Sequence, residues 1–250
     1  MLIDPDARIG RHCDYFGTEV LEFGVVRPHA TLSIDVRARV VTADRPLAPR
    51  APWSAVETQA YAEAAGEYVL PALDEPPRET LDELVAAVRA PTPLATVEGL
   101  CDLIPDRFQY RTGVTYVGST VEEFLDAGAG VCQDYVHLGL IMLRRNGIAA
   151  RYVSGYLWAA PEDGSDDSVE VETHAWIEAL LPSEDPGGEP TWIGADPTNR
   201  QLAGERHVKI GHGRNYADVP PIRGVYQGRV ASTLDVSVHM TRLEAQASVT

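Results

Sequence analysis

Between residues 30 and 41 apolar and mostly polar side chains alternate. Ala30, Leu32, Ile34, Val36, Ala38 and Val40 fall on one face of an extended chain. Thr31, Ser33, Asp35, Arg37, Arg39 and Val41 fall on the other. A period of two is the pattern of a half-buried strand, and residues 13–43 read as β, with Gly17 and Gly24 marking turns. Pro46, Pro49 and Pro52 make residues 44–53 a linker. Helical spacing follows. Ser54 with Glu57, Thr80 with Glu83 and Thr120 with Glu123 each have the spacing of a capping box, in which a hydroxyl and a carboxylate satisfy the unpaired amides of a helix start. Thr92 before Pro93 predicts another start, running toward Ile104. Residues 54–126 are therefore expected to be mainly helical, interrupted at Pro76-Pro77, at Pro91 and by an extended patch near 108–117.

The segment from Cys132 to Asn146 is apolar on most sides, through Val136, Gly139, Leu140, Leu143 and their neighbours, and Gly147 supplies a stop. Apolarity all round predicts a buried helix. Short aromatic or β-branched segments bounded by turn residues come next, at 151–158, 172–181, 191–195 and 208–211. A last alternation over 229–243 includes Val230, Leu234, Val236, Val238 and Met240. Two loops, 161–168 and 182–190, are acidic or rich in turn residues. The first leads into the 172–181 strand, so Glu162, Asp163, Asp166, Asp167, Glu170 and Glu172 are placed to rim a cleft and draw in cationic substrates, or simply to solvate a hairpin tip.

Charge and cysteine content narrow the function. The 250 residues carry a formal net charge of −16, which repels phosphate backbones and argues against nucleic acid as a partner. The 44% hydrophobic content is that of a globular chain with a sizeable core. No apolar run is long enough to span a bilayer, and Met1 to Arg11 does not look like a signal peptide, so the expected location is the cytoplasm with no membrane partner. Three cysteines without a close pair, Cys13, Cys101 and Cys132, fit neither a disulfide framework nor a zinc site. No cofactor is implied. Cys132, Asp134 and His137 match no standard metal spacing.

Three segments carry candidate chemistry: GVCQD at 130–134, THAW at 173–176 and GADPTN at 194–199. A thiol is a good nucleophile only as thiolate, which a helix N-terminus and a neighbouring imidazolium both stabilise. Cys132 opens the predicted buried helix. His174 would be the general base and then the acid for a leaving amine. Asp196 would hold the imidazole, and the Cys132 amide would donate to an oxyanion. Each residue also has an ordinary reading: a lone buried cysteine is a small hydrophobe, a strand histidine is structural, and an Asp before Pro forms a turn. Asp134 suits a first helical turn, His137 a packed helix position, and His207 and His212 the surface. Trp158, Trp176 and Trp192 suit the core, with Trp176 placed to shield His174 from water.

Residues 110–228 resemble the transglutaminase-like superfamily in its bacterial form. The stretches that carry the resemblance are GVCQDYVHL at 130–138, ARYVSGYLW at 150–158, THAWIEALLP at 173–182, WIGADPTN at 192–199 and GRNYADVPPIRGVYQG at 213–228. The resemblance implies an α+β, papain-like fold in which the cysteine heads a buried helix on an antiparallel sheet. It places Cys132, His174 and Asp196 in the triad. Asn215 departs from it, standing where members often have Asp. Upstream, Asp14 to Gly17, Arg27 to His29 and Leu32 resemble the latter part of a β-rich region that precedes this domain in many bacterial members. The division expected is a partial β region at 1–45 and a catalytic domain at 46–250. An incomplete β unit exposes an edge, which favours a homodimer through this region or a longer natural chain.

The expected function is acyl transfer through a thioester on a peptide or protein substrate. Resolution by water makes a protease or amidase acting on a peptide or isopeptide bond. Resolution by an amine makes a protein-glutamine gamma-glutamyltransferase. An inactive binding or scaffold module on the same fold is the alternative of another class.

Overall fold

A computed structural model describes residues 1–72, 75–76, 79–159, 168–228 and 231–243. The chain divides into two compact units, Met1–Thr42 and Ala43–Thr250.

In the first unit β1 (Leu2–Asp4) pairs antiparallel with β4 (Ser33–Asp35), and β2 (Gly10–Cys13) with β3 (Glu19–Glu22). The Asp14 carboxylate closes the β2–β3 turn by accepting from the amides of Phe16 (2.9 Å) and Thr18 (2.8 Å). The alternation over 30–41 promised a longer strand than the three residues of β4. A period-two pattern becomes strand only where a partner supplies the ladder, and β1 offers one across three residues. Leu32, Val36 and Val40 are about half exposed, at 46%, 61% and 55%.

The second unit opens with helices: α1 (Gln59–Ala65), α2 (Glu79–Val88), α3 (Pro93–Arg107) and α4 (Val121–Ala127). Thr120 and Glu123 form the expected box, the Thr120 hydroxyl accepting from Glu123 N (3.2 Å) and the Glu123 carboxylate from Thr120 N (2.8 Å). Thr92 caps α3 by accepting from Ala95 N (3.1 Å). The other two boxes are corrected. Ser54 lies inside a 3-10 turn, Trp53–Glu57, and the cap of α1 is Thr58. Thr80 is already inside α2. The extended patch reduces to β5 (Gln109–Tyr110), which pairs parallel with β6 (Ala129–Gly130) directly ahead of α5 (Cys132–Arg145).

Strands follow: β7 (Ala150–Leu157), β8 (Val169–Val171), β9 (Thr173–Leu181), β10 (Thr191–Asp196), β11 (Gln201–Leu202), β12 (His207–Gly213) and β13 (Val238–Met240). Five of them form one antiparallel sheet in the order β11-β10-β9-β7-β12. Of the alternation over 229–243, only β13 is strand among the described residues, paired with β8. Val230 and most of the first acidic loop, including Glu162, Asp163, Asp166 and Asp167, lie outside the described residues.

Helix α5 lies on this sheet, and ten of its residues are buried, from Asp134 to Arg144. Gly139 explains the close approach: a Cβ there would stand 2.4 Å from Ile177 Cδ1 on β9. Leu138, Leu140, Leu143, Tyr152, Ile177 and Ile193 join one core with Leu81, Leu100 and Ile104 of the helices. Full burial of each such aliphatic side chain contributes about 1.5–3 kcal/mol. At the far end Arg144, 6% exposed, donates to the carbonyls of Ala150 (Nη2, 2.8 Å) and Arg214 (2.7 Å), which fixes α5 to the sheet. Burial, aided by the nearby Arg214 charge, lowers its pKa to about 10. The result is the expected α+β architecture, a helix headed by a cysteine on an antiparallel sheet. Among the described residues no helix is long and apolar enough to cross a membrane.

Candidate active site

Cys132 is the first residue of α5, and the turn before it is built to hold that position. Val131 has no capping side chain, so the start of the helix is satisfied from within. The Asp134 carboxylate reaches back to accept from Val131 N (2.8 Å), while also accepting from the Thr115 hydroxyl (2.6 Å). Asp134 thus has the first-turn role expected of it. Gly130 makes room for that carboxylate, since a Cβ would meet Asp134 Oδ2 at 2.4 Å and Phe124 Cδ2 at 2.8 Å. Its value here is close approach by neighbouring side chains rather than a freer backbone.

Strand β9 supplies His174 at its second residue, and the neighbouring β10 ends on Asp196. His174 Nε2 donates to Asp196 Oδ2 at 2.9 Å. That leaves Nδ1 unengaged by Asp196, and the Cys132 side chain is near enough to this ring to act on its pKa. Burial works against the imidazolium, but the hydrogen bonds to Asp196 and Cys132 and the charges of both push His174 up to about 9. Burial would raise Asp196, yet the hydrogen bonds from His174 and His207, the imidazolium charge and Asn199 hold it well below the usual carboxylate range. A histidine raised and a carboxylate lowered by the same contact describe an imidazolium–carboxylate pair beside a thiol at a helix N-terminus. Trp176 stacks on His174 with ring centroids 6.1 Å apart and 26° between planes, and at 2% exposure it covers one side of the ring.

The structure thus brings Cys132, His174 and Asp196 together from three elements. It also adds residues that patterning did not suggest. Asn199 donates from Nδ2 (2.8 Å) and from its backbone N (3.2 Å) to Asp196. His207 is not a surface group: its side chain is 4% exposed and its Nε2 lies 3.0 Å from Asp196 Oδ2. Periodicity could not reveal it, because it opens β12 beyond a loop and meets Asp196 only in the folded sheet. Tyr110 is the third addition. Its hydroxyl lies by the Cys132 backbone amide; although the residue as a whole is 51% exposed, local desolvation of the hydroxyl, with the Cys132 charge next, pushes its pKa up to about 12. Tyr110 also lines a cavity of about 540 Å3 with Phe108, Gln109, Tyr135 and Thr198.

Other candidates have structural places. His137 Nε2 accepts from Tyr216 N (3.3 Å), and its ring lies 5.3 Å from that of Tyr152. Asn215 caps the turn Tyr216–Asp218 by accepting from Ala217 N (2.8 Å). His212 lies 3.1 Å from Arg151 Nη1. Cys101 is buried and hydrogen-bonded to the Gln201 carbonyl, and burial pushes its thiol up to about 12. Cys13 is exposed on β2.

The sequence profile of the transglutaminase-like superfamily matches residues 79–197. An uncharacterized protein of Mycobacterium tuberculosis is 39% identical over 249 residues, taking in 94% of this chain and 77% of that one. One from Mycobacterium leprae is 36% identical over 245 residues, taking in 96% of this chain and 84% of that one. Among solved structures, a candidate cysteine protease from Cytophaga hutchinsonii matches with a TM-score of 0.57 at 21% identity, over 96% of this chain and 75% of that one. At that identity the likeness is one of fold.

Proposed function

The chain belongs to the transglutaminase-like superfamily, with its papain-like α+β fold, and from that premise we propose a cysteine-dependent enzyme that cleaves peptide or isopeptide bonds through a thioester. The observation that carries this reading is the His174 ring, whose Nε2 donates to Asp196 at 2.9 Å and whose pKa is raised by both Asp196 and Cys132. His174 takes the thiol proton of Cys132 at Nδ1 and becomes imidazolium. The sulfur attacks the amide carbonyl carbon, a C–S bond forms, and the carbonyl π pair moves to oxygen. Amides at the start of α5, that of Cys132 first, face the charge that develops there. A substrate oxygen in that place displaces the Tyr110 hydroxyl. As the tetrahedral intermediate collapses, the C–N bond breaks and His174 gives its Nδ1 proton to the leaving amine. The now neutral His174 takes a proton from water, whose oxygen attacks the thioester. Collapse releases the carboxylic acid and restores the Cys132–His174 pair. Asp196 keeps the ring aligned through both halves.

The test is incubation with a peptide library and a primary amine, read by mass spectrometry. Hydrolytic cleavage dependent on Cys132 is the expected result. Glutamine side chains joined to the amine or deamidated, with no backbone or isopeptide bond cut, would replace hydrolysis with glutaminyl transfer. No product with Cys132 intact would favour a binding module.

A further inference from the structure

Asp196 is costly to keep charged, because its side chain has no exposed surface. Four donors hold it: Asn199 N at Oδ1 (3.2 Å), and Asn199 Nδ2 (2.8 Å), His174 Nε2 (2.9 Å) and His207 Nε2 (3.0 Å) at Oδ2. Asn199 is three residues away on the same turn, and His174 is the partner Asp196 serves. His207 is different. It comes from another strand, β12, and its side chain is 4% exposed.

The protonation of His207 can be read from its other nitrogen. Nδ1 accepts from the backbone N–H of Gly204 at 3.2 Å. A nitrogen that accepts carries no proton, so the ring proton sits on Nε2 and points at Asp196. The ring is held edge-on by Trp176, centroids 5.2 Å apart at 74°, and Trp176 also stacks on His174. The nitrogens of His174 and His207 and the oxygen of Asp196 lie within 4.8 Å of one another, which is close enough for a cation site. The Gly204 amide argues against that occupant: with Nδ1 taken as acceptor, Nε2 carries hydrogen and has no lone pair to give a metal.

We propose that His207 is a positioning residue of this site, a neutral Nε2–H donor that fixes Asp196 Oδ2 so that the His174 ring stays aimed at Cys132. This rests on the triad reading above. Outer partners that orient metal-bound histidines are worth about 10- to 100-fold, and a carboxylate-held histidine is oriented in the same way, so the lower end of that range sets the scale here. His207 acts through Asp196, so its effect should vanish when Asp196 is removed.

The experiment measures iodoacetamide alkylation of Cys132 at about pH 6, mapped by peptide mass spectrometry, in the full chain. His207→Phe should slow the rate about tenfold. His207→Gln, whose amide can donate from a similar place, should recover most of it. In an Asp196→Ala background His207→Phe should change nothing further; an equal slowing there would show a general packing role and overturn the proposal. A wild-type advantage that His207→Phe leaves intact also overturns it, with the triad reading untouched. A wild-type chain without any Cys132 advantage overturns the triad reading itself, and this one with it. Should His207→Phe fail to fold, nitrogen-15 NMR of the wild-type chain at neutral pH decides: Nδ1 bare and Nε2 protonated supports the role, and the opposite tautomer or a doubly protonated ring overturns it.

Discussion

Gly130→Ala tests how the nucleophile is held at the head of its helix. The added methyl would sit 2.4 Å from Asp134 Oδ2 and 2.8 Å from Phe124 Cδ2, both far inside contact distance. Phe124 is fully buried and packed between Phe108 and Tyr135, with centroids 4.7 and 5.9 Å away, so it has little room to give. The carboxylate is the group that moves. Displacing it strains or breaks its bonds to Val131 N (2.8 Å) and the Thr115 hydroxyl (2.6 Å). Overpacking costs about 1–3 kcal/mol, and a hydrogen bond to a charged group contributes about 1.5–3 kcal/mol. These terms overlap, so the expected loss is about 2–4 kcal/mol. Urea unfolding followed by tryptophan fluorescence reads it in the right unit, since Trp53, Trp158, Trp176 and Trp192 all lie within residues 43–250. Alkylation of Cys132 should slow in the same variant, because the first turn of α5 shifts. In an Asp134→Ala background the added methyl meets Phe124 alone, and the cost should fall by at least about 1 kcal/mol. An equal cost in both backgrounds, or a loss below about 0.5 kcal/mol, would refute the role given to Asp134.

Tyr61→Phe should destabilise the same unit by about 1–3 kcal/mol, because the buried hydroxyl donates to the Leu180 carbonyl and accepts from Ala149 N, both at 2.9 Å; urea unfolding checks this, and Cys132 alkylation should be unchanged. Asp196→Asn should show a pH-dependent stability deficit. The folded-state pKa of Asp196 is depressed, so its contribution is fully present above about pH 4 and is lost as pH falls below that. Unfolding of both proteins between pH 6 and 3 should show the gap narrowing at the acid end, and a constant gap would mean the carboxylate is not specially stabilised.

Legibility in the sequence followed how local each cause is. Helix α5 was readable because apolar residues run around it and Gly147 stops it, and β7, β9, β10 and β12 appeared within two residues of their expected bounds. Thr92 and Thr120 could be read because their cap partners lie three residues on. Ser54 has the same spacing but precedes Thr58, which takes the cap, so competing local signals misplaced α1. The stretch 30–41 failed for another reason: alternation states which face could be buried, not whether a partner strand exists. Cys132, His174 and Asp196 were marked by motif resemblance. Their meeting, and the entry of His207 and Asn199 around Asp196, depends on the β9–β10 register and on the loop leading into β12. Those contacts lie between segments, and no periodicity within one segment encodes them.

The central claim is that Cys132 is an activated nucleophile paired with His174. Iodoacetamide labelling of the folded chain at about pH 6, mapped by peptide mass spectrometry, tests it most directly. An ordinary thiol is under roughly 1% thiolate there. The useful comparison is Cys13, which is exposed, whereas Cys101 is buried. Cys132 should label well ahead of Cys13 although it is less accessible. His174→Ala should erase that lead, because the cation beside the sulfur is gone. Asp196→Ala should reduce it less, because Asp196 acts through the imidazole. Labelling of Cys132 no faster than Cys13, or a lead that survives His174→Ala, would contradict the account.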